Sequence, residues 1–290
     1  MAAACISWAA GCSRSRDWSH DLPLQRRTRY FVVHYQRPTW DAAGFARVAD
    51  AFVDLVDREF VPARLERPLD VLVFADRATF HRYLAAAGVP FRPKGIYLPA
   101  LGVLATAEDT GLGTLTHEIM HPIVQRALPD CPAWAFEGIP AFFEKFLGYW
   151  DGDRLVVQWG YQNPWRLEQL GPDLARLDLP RIVAEPVSDA PAATSEQRLV
   201  AVFLWQQGRF ERFLRLVAAR DRRGFGTYLE AAMERPLDDI VPLWRAYLAE
   251  LSRNREAALR VPPSTVYPDR AAFEQALGTS RAWLQARMGR

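Results

Sequence analysis

The chain has 290 residues, half of them hydrophobic and 12% aromatic, a balance that excludes an unfolded polymer and can fill one large core or two adjoining lobes. With 36 basic residues against 34 acidic ones the net charge is only +2, so the chain carries no electrostatic footprint for nucleic acid. Beyond the N-terminus no apolar run approaches the length of a membrane span.

The segment Ala9-Ala10-Gly11-Cys12 resembles the end of a bacterial lipoprotein signal, with Cys12 as the lipidated residue, and implies an exported, lipid-anchored protein. It departs from such signals in its short apolar stretch and the lack of Arg or Lys ahead of it. The competing reading is a small-residue N-terminus on a cytoplasmic protein. Cys5, Cys12 and Cys131 form an odd set that defines no disulfide framework. Residues 13–29 are polar, contain Pro23 and lack an apolar period, so 1–29 reads as a signal and linker segment.

Tyr30 to Tyr35 is a β-rich run and the expected first strand. A helix follows, with Asp41 as N-cap and Phe45, Val48, Phe52, Leu55 and Val56 at helical spacing. Pro68 to Phe74 reads as a buried strand, and Arg77 to Ala87 as a short helix closed by Gly88. The runs at 95–98 and 102–106 complete a small sheet. His34 alternates with Val33 and Tyr35 along a strand and reads as structural, as does His81 on the following helix.

Gly113-Thr114-Leu115-Thr116-His117-Glu118-Ile119-Met120-His121 contains a His-Glu-x-x-His motif. On a helix, positions i and i+4 share a face, so His117 and His121 can offer two imidazole nitrogens to one ion. Glu118 lies about 100° round from His117, placed to hold a water beside the ion. Leu115, Ile119 and Met120 turn this helix toward an interior. Catalytic zinc usually takes three protein ligands and keeps a fourth position open. Pro129 and Pro132 end the first helix and force a turn. A second helix, from about Ala133 to Leu147, can then return Glu137 to the histidines as the third ligand. Pro122, directly after His121, cannot donate to the carbonyl of Glu118 and predicts a kink beyond the histidine pair.

The His-Glu-x-x-His helix and the Trp134-x-x-Glu137-Gly138-x-x-Ala141 segment together resemble the gluzincin metallopeptidases, and the short spacer between them is similar to that of bacterial peptidase MA-like proteins. The resemblance covers roughly residues 30–250 and is specific between 95 and 145. It implies an α+β, zincin-like fold with a small N-terminal α/β lobe, a mixed sheet and a mostly helical C-terminal lobe. It implies Zn²⁺ held by His117, His121 and Glu137, Glu118 as general base, and a peptide or protein substrate. It also implies a sheet edge that pairs with the substrate backbone, for which Gly102–Thr106 is the candidate; an interior hairpin is the alternative.

Farther along, Asp151-Gly152 signals a turn ahead of the β-rich Leu155-Val156-Val157. Residues 171–194 hold Pro172, Pro180, Pro186 and Pro191 and read as an extended crossing loop. Helical patterns follow at 196–219, 224–234 and 238–252, and Pro262-Pro263 opens a tail with a helix at 269–287. The expected organisation is therefore an α+β lobe over 30–147, a helical lobe over 148–260 and a tail over 261–290. An oxyanion donor is expected from Tyr149, Tyr161, Arg198 or Tyr228. Glu144 reads as a solvated glutamate, the alternative being that it orients a histidine. These features point to a zinc peptidase. The same residues would also serve a zinc hydrolase of a non-peptide amide or ester, or a binding scaffold without turnover.

Overall fold

A polar stretch that reads as linker supplies the first strand. The structure, a computed structural model, describes residues 21–89, 91–184 and 191–277, so the expected lipidation segment at Cys12 lies outside the described residues. Strand β1 (Leu24–Arg27) pairs antiparallel with β2 (Phe31–Tyr35). The exposed Gln25, Arg26 and Arg27 keep this outer strand polar, as sheet edges require. Strands β3 (Leu69–Phe74), β4 (Gly95–Leu98) and β5 (Val103–Ala107) complete a sheet in the order β1-β2-β3-β5-β4. The three central strands run parallel, and β4 lies antiparallel on the outer side of β5. Of the two expectations for the 102–106 run, a free edge or an interior hairpin, the structure shows the interior strand, and β4 is the edge.

Strand alternation sends side chains to two faces. Phe31, Val33, Val71, Val73 and Leu104 join helices α1 (Ala42–Glu59) and α3 (Gly111–Ala127) in the main core. Leu72, Phe74, Val103 and Ala105 pack instead against α2 (Arg77–Ala86), through Phe80, Tyr83 and Leu84. Asp41 caps α1 as expected, its carboxylate accepting the Gly44 N–H at 2.8 Å.

Pro122 lies inside α3, which runs on to Ala127. After a tight turn, α4 (Ala133–Phe143) comes back along it, shorter than the sequence pattern suggests. Helix α4 is wedged between α3 and the C-terminal helices. There Gly138 allows the close approach: a Cβ would stand 2.8 Å from the carbonyl oxygen of Gln197. Behind it, Phe142 and Phe143 stack among Phe52, Phe60, Trp159 and Phe210, giving the helix a rigid aromatic backing.

The Asp151-Gly152 turn joins β6 (Leu147–Asp151) and β7 (Arg154–Gln158) in a hairpin, followed by α5 (Pro164–Gln169). The proline-rich segment is not an extended loop in its described part, since it forms α6 (Leu179–Ala184) and the start of α7 (Pro191–Gln206). The pattern at 196–219 divides into α7 and α8 (Phe210–Ala219), with Gly208 at φ +65° making the break. Then come α9 (Tyr228–Met233), α10 (Leu237–Arg253) and α11 (Arg255–Leu259). The expected tail is docked: β8 (Thr265–Tyr267) pairs parallel with β6, and α12 (Arg270–Leu277) sets Phe273 against Tyr149. Lys145 donates to the Pro262 carbonyl and Ser264 to that of Glu144, tying this segment to the end of α4. The fold is mixed α+β, with mixed sheets and a helical C-terminal part.

Candidate metal centre

Helix α3 presents His117 and His121 one turn apart, with ring centroids 4.9 Å from each other. Thr116, buried between them and the adjoining helix, donates to the Phe143 carbonyl at 2.9 Å and fastens α3 to the end of α4. Glu137, one turn into α4, then reaches back between the rings. Its Oε2 lies 3.5 Å from Nε2 of His117 and its Oε1 3.8 Å from Nε2 of His121. Donor atoms of the three residues all fall within 4.8 Å of one another. Ligand distances of about 2.0–2.2 Å in a tetrahedron put donors roughly 3.3–3.6 Å apart, close to these separations. Two imidazoles and a carboxylate, nearly closed to solvent, therefore fit a divalent metal ion.

The electrostatics differ between the two histidines. Burial pushes the His121 ring down to about 4, more than the Glu137 charge can offset, which keeps it neutral with a lone pair to donate. Burial works against a charge on His117 too, but the carboxylates of Glu137 and Glu144, 3.5 and 3.6 Å from its ring nitrogens, outweigh it and raise the ring to about 10. Glu137 is held below the usual carboxylate range: its burial is overcome by His121 and His117. Glu118 behaves differently. Burial pushes its carboxyl up to about 7, against the pull of His117. A carboxylate titrating there is poised to take a proton and return it.

Glu118 lies between the donor triad and the sheet edge. The backbone N–H of Tyr97 on β4 pulls the Glu118 carboxyl down, against the effect of its burial. One residue pair away, Gly95 passes so close that a Cβ would stand 2.5 Å from Thr114 Cγ2 and 2.9 Å from Glu118 Cγ. The edge strand at the site is thus β4, which the sequence pattern could not distinguish from β5.

Glu144 is not solvated. Its Oε2 lies 3.6 Å from Nδ1 of His117, a buried nitrogen with no hydrogen-bond partner. The same oxygen accepts from Arg166 at 2.7 and 3.0 Å, and Oε1 accepts from Asn163 at 3.0 Å. Sequence reasoning missed Arg166 and Asn163 because α5 carries no motif and meets α4 only in three dimensions.

The four oxyanion candidates make contacts of their own. Tyr228 donates to Asp130 at 2.6 Å, and Tyr161 to Gln158 at 2.6 Å. Arg198 is fully buried between the carbonyls of Ala141 and Tyr161, and Tyr149 stacks on Phe273 at 5.1 Å. His34 pairs with Asp70 at 2.7 Å in the sheet, and His81 bonds the Pro93 carbonyl at 3.0 Å, both apart from the centre. Cys131 is a free thiol whose pKa is pushed up by burial. No protein-family model and no curated protein matches this chain.

Proposed function

We propose that this chain is a zinc-dependent hydrolase of the gluzincin type, acting on peptide bonds and built on a zincin-like fold. The observation that carries the reading is the position of Glu118, a buried carboxyl between a three-donor candidate metal centre and a strand edge. With no matching relative, the support comes from the chemistry of these residues alone.

His117, His121 and Glu137 would hold the zinc, leaving a fourth position for water or substrate. When bound, the ion supplies Lewis acidity and brings the pKa of water down to about 7. Glu118 accepts the water's proton and passes it to the departing amine, a contribution of about 10²–10⁴-fold. Strand β4 offers outward backbone groups with which an extended peptide can pair, which favours a peptide over a small ester or amide. Glu144 fixes the tilt and tautomer of His117 through Nδ1.

The Glu118→Gln protein tests this directly. It should keep its zinc while peptide hydrolysis falls by about 10²–10⁴-fold. Activity equal to that of the unaltered protein would contradict the mechanism.

A further inference from the structure

Two basic side chains meet on one aromatic ring beside the metal centre. The Lys94 ammonium stands 3.9 Å from the centroid of Trp165, and the Arg166 guanidinium 4.7 Å from the same centroid. The two arrive from opposite sides of the site. Lys94 directly precedes Gly95, which abuts Glu118 on the edge strand, whereas Arg166 comes from α5 and grips Glu144 at the back of His117.

Each cation keeps a donor that no protein acceptor takes up among the described residues. Among the described residues the Lys94 ammonium makes no ion pair and rests on the ring face. Arg166 commits Nε and Nη2 to Glu144, and its Nη1 has no hydrogen-bond partner among the described residues. Like charges this close repel. Partial burial, with Arg77 and Arg166 adding to it, lowers the Lys94 pKa even though Glu144 pulls the other way. An anion set over Trp165 would relieve the repulsion and satisfy both free donors.

We propose that Lys94, Trp165 and Arg166 form a subsite for a carboxylate of the substrate, next to the bond that is cut. The proposal rests on the peptidase reading above and names its substrate class: peptides with a free C-terminal carboxylate or an acidic side chain close to the scissile bond. Trp165 supplies the flat apolar floor for the carbon atoms that bear the carboxylate, Lys94 a mobile charge, and Arg166 a donor fixed in place by Glu144.

The test measures peptide binding by calorimetry to the zinc-loaded Glu118→Gln protein, with and without a second change at Lys94. One pair of peptides differs only in a free C-terminal carboxylate against its amide. Another pair, blocked at both ends, differs only in an internal Glu against Gln. A charge-assisted contact is worth about tenfold in affinity, so one of the two carboxylate peptides should bind about tenfold tighter than its neutral partner. The pair that responds identifies the source of the carboxylate. Lys94→Met, which keeps a chain on the Trp165 ring, should erase the difference, and Lys94→Arg should restore it. Equal binding within both pairs overturns the subsite and leaves the peptidase reading standing. A preference that survives Lys94→Met also overturns it, because the carboxylate is then held by the metal. Carboxylate-dependent binding without cleavage by the unaltered protein keeps the subsite and removes the peptidase reading. Failure of every peptide to bind removes both.

Discussion

The Glu144 carboxylate stands 3.6 Å from Nδ1 of His117, the ring nitrogen turned away from Glu137. Arg166 holds that carboxylate with two nitrogens, so the group facing the back of His117 is anchored from α5, outside the two helices that carry the candidate ligands. Glu144→Ala leaves a buried guanidinium without its partner and His117 without its orienting group. Zinc affinity should fall about 10–100-fold, and stability by about 3–5 kcal/mol. Chelator competition measures the first and urea unfolding the second. Zinc affinity that stays unchanged would mean the carboxylate serves Arg166 alone.

Gly95 tests the closeness of the edge strand β4 and helix α3. In Gly95→Ala the new methyl meets Thr114 at 2.5 Å and Glu118 at 2.9 Å, so either β4 retreats or the glutamate shifts. Overpacking of this kind costs about 1–3 kcal/mol, while a misplacement near 1 Å costs about 10²-fold in turnover. Gly102→Ala is the control. Gly102 has φ +66° with nothing within 4 Å of a Cβ, so that change should lower stability by about 1–2 kcal/mol and leave turnover intact. Equal turnover losses in the two variants would contradict a specific role for the β4–Glu118 contact.

The parts of this site that are legible in the sequence are those fixed by short-range periodicity. His117 and His121 must share a helix face because they are four residues apart, and Pro129 with Pro132 forces the turn that returns Glu137. What escapes the sequence depends on neighbours in space. Strands β4 and β5 have similar patterns, and only the insertion of β5 beside β3 decides which is the edge. Glu144 looks like any helix-end glutamate until Arg166, 22 residues later, is laid against it. Gln25, Arg26 and Arg27 look like linker because an outer strand with a wet face needs no apolar alternation.

Lys145 makes stability depend on pH. It is buried beside Glu144, and burial, with the Arg198 charge adding, pushes its ammonium from 10.5 down to about 7. Between those values the unfolded chain binds the proton that the folded chain has released, so stability rises with pH across this window. Below it the full cost of burying the charge is present. Lys145→Met abolishes the titration. The unaltered protein should therefore gain stability relative to this variant from about pH 7 to about pH 10, as followed by urea unfolding. A difference that stays constant over that range would show that the amine keeps its proton when buried.

Elemental analysis of the purified protein tests the metal centre most directly, on preparations made without added metal and dialysed against buffer. The proposal that His117, His121 and Glu137 hold zinc predicts about one zinc per chain and its loss in Glu137→Ala. A chain without bound zinc, or one that retains the same zinc in Glu137→Ala, would contradict the assignment.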